Sequence, residues 1–170
     1  MSELANFRKH KDHFFKTDAQ SPLTPEQQKT FRGLVYFPEN PALRFELPLE
    51  KYAQPEHILM QTSTGAAQDY IRAGQIHFRV NGQDATLQVY ASEHANDYFI
   101  PFVDATAPAE SYGAGRYLEP EDLGNGKLRV DLNLAYNPYC AYNERWSCPI
   151  PPKENRLSVR IEAGEKKFHD

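Results

Sequence analysis

The only two cysteines of this 170-residue chain, Cys140 and Cys148, fall in its densest stretch of polar and aromatic side chains. Between Asn133 and Asn155 stand Tyr136, Asn137, Tyr139, Tyr142, Asn143, Arg145 and Trp146, punctuated by Pro138, Pro149, Pro151 and Pro152. Prolines fix the backbone, while Asn and Tyr offer directional hydrogen bonds without net charge. A rigid loop of that kind suits the wall of a ligand pocket. The plainer reading is a loop that closes the end of a sheet and spends those groups on its own backbone.

Three chemistries are open to the thiols. Seven residues separate them, which is neither the CxxC redox spacing nor a zinc knuckle. They can be two reduced, buried thiols, a local disulfide, or a nucleophile or metal ligand. As a nucleophile Cys140 needs a base. His94 is the candidate, with Asn137 or Asn133 as the orienting group. Asp104 and Asp131 form a second catalytic candidate, since two carboxylates serve as acid and base when their environments push their pKa values apart. Arg116 follows Gly113-Ala114-Gly115 and could anchor an anion. A lone GxG with no helix start behind it reads first as a bend entering a strand. Arg129, Asp131 and Asn133 alternate along one segment, either as a solvated face or as the lining of a barrel lumen. His10 and His13 share a helical face without a third ligand, and no HExxH, GxSxG or phosphate-loop signature occurs. No metal or cofactor is expected.

The elements that would position these residues follow from periodicity. Leu4, Phe7, Phe14 and Phe15 recur at helical spacing, with Ser2 as cap. Thr24-Pro25 with Gln27 spells a capping box and starts a second short helix running to about Phe31. After Gly33 the period changes to two. Leu43, Phe45, Leu47 and Leu49 alternate, and Pro48 places that strand at an edge. Asn81-Gly82 specifies a two-residue hairpin turn. Its register pairs Phe78 with Ala85 and Ile76 with Leu87 on one face, Arg79 with Asp84 and His77 with Thr86 on the other. Further strands are expected at Ile58–Thr62, Gln68–Arg72, Tyr98–Val103, Leu128–Leu134 and Leu157–Ile161, with a turn at Gly124-Asn125-Gly126. The chain is read as a single domain, 1–170. It comprises a helical preface over 1–33 and a mainly β domain over 34–170, antiparallel and either barrel-like or a sandwich.

Charge narrows the partners. Nineteen basic and 23 acidic side chains give a net charge of −4 with the signs interspersed, and no basic stripe is present for a nucleic-acid backbone. No apolar run is long enough to span a bilayer, and Met1 to Lys16 lacks the apolar core of a signal peptide, so a cytoplasmic location is expected. A small polar or anionic molecule, or a second copy of the chain in a homodimer, remains as partner.

The second half carries a multi-part pattern. It comprises Phe102-Val-Asp-Ala-Thr106, Tyr112-Gly-Ala-Gly-Arg-Tyr-Leu118, Asp131-Leu-Asn133, Ala135-Tyr-Asn-Pro-Tyr-Cys-Ala-Tyr142, Cys148-Pro-Ile-Pro-Pro152, Asn155-Arg-Leu157 and Ile161-Glu-Ala-Gly-Glu165. This resembles the bacterial and archaeal family catalogued as domain of unknown function 1684, over nearly the whole chain. Leu132 stands where the family often has Phe, and Pro108 where a Gly is common. The resemblance implies a relative but no activity, cofactor or catalytic residue. The functional expectation therefore rests on the residues. It is a small-molecule-binding β domain whose pocket is formed by Arg116, Asn133, Tyr136, Asn137, Tyr139, Tyr142 and Trp146. The alternatives are a hydrolase- or transferase-like enzyme using Cys140 or Asp104/Asp131, and a structural or dimerisation domain.

Overall fold

The Asn81-Gly82 hairpin organises the larger of two antiparallel sheets. In the computed structural model, which describes residues 2–92 and 97–170, β3 (Ala67–Val80) turns into β4 (Gln83–Ala91) with φ of 50° at Asn81 and 79° at Gly82. The register is the expected one, Ile76 opposite Leu87 and Phe78 opposite Ala85, with Arg79 opposite Asp84. β2 (Glu50–Gln61), β5 (Tyr98–Phe102) and β6 (Arg116–Leu118) complete a sheet ordered β2-β3-β4-β5-β6. β1 (Arg44–Pro48), β7 (Glu121–Asp122) and β8 (Lys127–Asp131) form a second sheet ordered β1-β8-β7, so the strand carrying Pro48 does lie at an edge.

The two sheets face each other as an open sandwich, not a closed barrel. Ile76, Phe78, Leu87, Val89, Ile100 and Phe102 from one sheet meet Leu128 and Val130 from the other, all fully or almost fully buried. Each such side chain stabilises the fold by about 1.5–3 kcal/mol relative to exposure.

Three expected strands come out differently. Gln68–Arg72 is not separate from the hairpin, because β3 runs through it for 14 residues with a register shift between Arg72 and Gly74. Gly74 permits this, since a Cβ there would sit 2.5 Å from the Glu50 carbonyl oxygen. The Leu128 strand ends at Asp131, whose side chain accepts the Asn133 N–H and winds Leu132–Leu134 into a 3-10 turn. Leu157–Ile161 is no strand. Its alternating residues are inward-facing, but its backbone meets only a single parallel bridge, Val103 with Arg156, and the Ala105 N–H at the Val159 carbonyl, before the Ile161 N–H donates to the Asp104 carboxylate at 2.7 Å.

The preface folds as expected. α1 (Glu3–Thr17) is capped by Ser2, and α2 (Pro25–Thr30) by the Thr24/Gln27 capping box. Phe15, Leu23 and Phe31 pack with Tyr142 in a satellite core, while Phe7 stands half exposed. Among the described residues no helix is long and apolar enough to cross a membrane.

Candidate functional site

The inner side of the Asn133–Asn155 loop and the segments it covers are occupied by a dense polar network. Gly115 has a φ of 104° and a Cβ there would lie 2.5 Å from the Phe102 carbonyl oxygen, so only glycine brings the chain this close before Arg116 turns inward. The Arg116 side chain is fully buried, with Phe102 and Phe37 ring centroids 5.4 and 5.7 Å away. It donates to Asp104 at 3.2 Å and to the carbonyls of Ile161 at 3.0 Å, Glu165 at 3.1 Å and Ala163. Burial lowers its pKa, opposed chiefly by Asp104. Asp104 also accepts from the Thr106 hydroxyl and the Ile161 N–H.

Glu165 is a second buried charge. Its carboxylate takes Lys11, the Tyr142 hydroxyl at 3.1 Å and the Asn137 N–H at 3.0 Å, tying α1, the loop and the C-terminal segment together. Asn133 exchanges two hydrogen bonds with the Asn40 backbone, and Asn155 does the same with Gln88. The loop tip grips the preface: Arg145, Asn143 and the Trp146 indole N–H all donate to the Pro22 carbonyl.

The outer side is different. A two-bond backbone bridge joins Tyr117 of β6 to Tyr136 and sets their rings edge-on at 5.8 Å. Phe99 lies edge-on to Tyr117 at 4.8 Å, and Tyr70 stacks on Phe99 at 5.6 Å. Four rings from β3, β5, β6 and the loop thus form one row along a cleft of about 340 Å³, completed by Ser92, Asp97, Tyr98, Glu119 and Pro149. The Tyr136 hydroxyl donates to Glu119 at 2.5 Å, and the Tyr117 hydroxyl to the Pro149 carbonyl. Burial pushes the Tyr70, Tyr117 and Tyr136 phenols above their ordinary range, keeping them neutral donors. An adjoining cavity of about 310 Å³ shares Asp97, Tyr98 and Glu119 and adds Pro120, Glu121 and Asp122. Among the described residues no Lys, Arg or His lines either one.

The two thiols are free and lie together behind Tyr112. The Cys140 N–H donates to the Cys148 sulfur at 3.2 Å, and the Tyr112 hydroxyl is 3.7 Å from the Cys140 sulfur. Cys140 is half-buried and Cys148 buried. Hydrogen bonding from Cys148, against the cost of burial, lowers Cys140 to about 6, with help from Tyr112 and Ser63. Sharing that proton pushes Cys148 up.

The model of the family described as "Protein of unknown function (DUF1684)" matches residues 29–166. The chain belongs to this family. Its fold is also that of an uncharacterised protein from Haloarcula marismortui, known from a solution NMR structure. That protein is 36% identical, with 96% of this chain and 92% of the other aligned at a TM-score of 0.73. No curated protein matches. The resemblance read from the motifs is thus membership, and the archaeal relative shares the fold across nearly the whole length.

Of the pocket residues expected from sequence, only Tyr136 lines the aromatic cleft. Arg116, Asn133, Asn137 and Tyr142 are buried and committed to internal partners, so the anion anchor expected at Arg116 is a core ion pair. Tyr139 is partly exposed and lies edge-on to Trp146 at 5.1 Å. Asp104 is occupied by Arg116, and Asp131 by Arg44 at 3.1 Å and Asn133. The two carboxylates share no hydrogen-bond partner. A cavity of about 470 Å³ beside Asp131, Arg44 and the start of α1 has its cation matched, because Arg44 also pairs with Glu39 at 3.0 Å. His94 lies outside the described residues. Among those described, no three His, Cys, Asp or Glu side chains gather to hold a metal ion. Sequence reading missed Tyr70, Phe99, Tyr117 and Glu119. Their one signal was strand alternation, which puts Phe99 on the side opposite Ile100.

Proposed function

We propose that the protein is a small-molecule-binding β domain whose site is the aromatic cleft, and that its ligand is a small organic cation. The row Tyr70–Phe99–Tyr117–Tyr136 beside Glu119 carries this reading. Ring faces attract a positive charge through their quadrupoles, by about 0.5–2 kcal/mol each, and weakly hydrated ammonium heads benefit most. Carboxylates at the rim add attraction for the same charge and repel anions. With the guanidinium of Arg116 inside the core, the charges among the described residues of the cleft are acidic, which favours a cation over the polar or anionic ligand expected from sequence. The neutral phenols and the few placed polar groups resemble a binding wall more than an acid–base centre. A cytoplasmic setting fits the two free thiols.

Calorimetric titration with benzyltrimethylammonium, with phenylacetate as the matched anion, tests the proposal. The cation binds, the anion does not, and Glu119→Gln weakens the cation roughly tenfold, the equivalent of about 1.4 kcal/mol. Equal binding of both probes, or of neither, would reject it.

A further inference from the structure

Cys140 and Cys148 are used by neither the buried network nor the cleft, yet they are placed for chemistry. Seven residues of loop separate them, but the Cys140 N–H reaches the Cys148 sulfur at 3.2 Å. Their environments are unequal. Cys140 is half-buried and faces the Tyr112 hydroxyl at 3.7 Å, while Cys148 is buried and its N–H donates to the Ser63 hydroxyl at 3.1 Å. One thiol meets solvent and the other waits behind it.

We propose that this pair is a peroxide-reactive dithiol, with Cys140 as the attacking thiol and Cys148 as the resolving one. The Cys140 thiolate attacks the distal oxygen of a hydroperoxide. The O–O bond breaks, the alcohol or water leaves with a proton, and Cys140 becomes the sulfenic acid. Cys148 then attacks that sulfur, its thiol proton and the sulfenic oxygen and hydrogen leave as water, and a Cys140–Cys148 disulfide forms. Two electrons pass from the thiols to the peroxide, and a dithiol reductant restores the pair by exchange. The lowering of Cys140 to about 6 keeps a thiolate available near neutral pH. Tyr112 is a positioning residue, holding a proton toward the attacking sulfur.

Hydrogen peroxide added to the native protein, followed by thiol counting and peptide mass mapping, tests this. One equivalent removes both free thiols and yields a peptide pair cross-linked through residues 140 and 148, lighter by two hydrogens. Cys148→Ser still reacts but stops at a sulfenic acid that dimedone captures, and Cys140→Ser does not react. Tyr112→Phe slows the reaction near neutral pH, while its rate converges with that of the parent above the ordinary thiol range of about 8.5. Two thiols still titratable after peroxide, equal reactivity of Cys148 in Cys140→Ser, or a disulfide formed only between chains would overturn the proposal. Because none of these readouts involves the cleft, the outcome is independent of cation binding.

Discussion

The Asn133–Asn155 loop has two sides built from the same residue types and put to opposite uses. Facing inward, Asn133, Asn137, Tyr142 and Asn155 find partners at 2.7–3.1 Å, many of them on backbone that has no strand neighbour. Facing outward, Tyr136 and Pro149 join Tyr70, Phe99 and Tyr117 around a cleft that none of the described residues fills. The inner side behaves as secondary structure would, satisfying buried donors and acceptors whose neglect costs about 1–3 kcal/mol each. The outer side presents partly exposed rings beside Asp97 and Glu119, the latter accepting only the Tyr136 hydroxyl among the described side chains. Polar density therefore marks where the chain holds itself together, and the binding surface lies where that density thins into aromatics.

Breaking the inner side has the largest expected effect. Asp104→Ala strips the buried Arg116 guanidinium of its hydrogen-bonded carboxylate, and unfolding stability falls by about 3–5 kcal/mol in denaturant titration. At temperatures where the variant is folded, cation affinity at the cleft is unchanged. A parallel loss of affinity would mean that the two sides are not separable.

Alkali acts on both sides. The phenols of Tyr136, Tyr142 and Tyr117 are held above their ordinary range by burial, and Tyr112 is pushed up to about 12, also chiefly by burial. The folded state thus holds these protons more tightly than the unfolded chain, whose tyrosines titrate at about 10. Their contribution is complete below about pH 10 and is lost as pH rises through the elevated folded values. Stability followed by denaturant titration stays level with respect to tyrosine up to about pH 10, then declines as the tyrosinate absorbance rises. Tyrosinate formed at Tyr112, Tyr117, Tyr136 or Tyr142 in the folded protein below that point would contradict the burial of these phenols. Thr24→Ala, remote from the cleft, removes one half of the capping box and costs about 1 kcal/mol without altering cation binding.

How much of this was legible depends on the range of the interaction. The Asn81-Gly82 hairpin, the two helix starts and the edge position of Pro48 were readable because each depends on backbone chemistry within a few residues. Leu157–Ile161 was misread as a strand because alternation reports which residues face inward, not which groups bond the backbone. Here the pairing stops at one parallel bridge with Val103, and a distant carboxylate, Asp104, takes the Ile161 N–H. Arg116 was misplaced for the same reason. Its partner is 12 residues away and its carbonyl acceptors 45 to 49, and no local pattern announces a guanidinium that enters the core. The cleft was half-legible. Tyr136 was in view, but the row of rings is assembled across β3, β5 and β6 by sheet order, which the sequence states nowhere.

The most direct test of the claim that the outer side binds is to follow backbone amide NMR signals while benzyltrimethylammonium is added. The account predicts saturable shifts grouped at Tyr70, Phe99, Tyr117, Glu119 and Tyr136, with Asn133, Tyr142 and Asn155 unmoved. Shifts centred on the inner residues, or none that saturate, would contradict it.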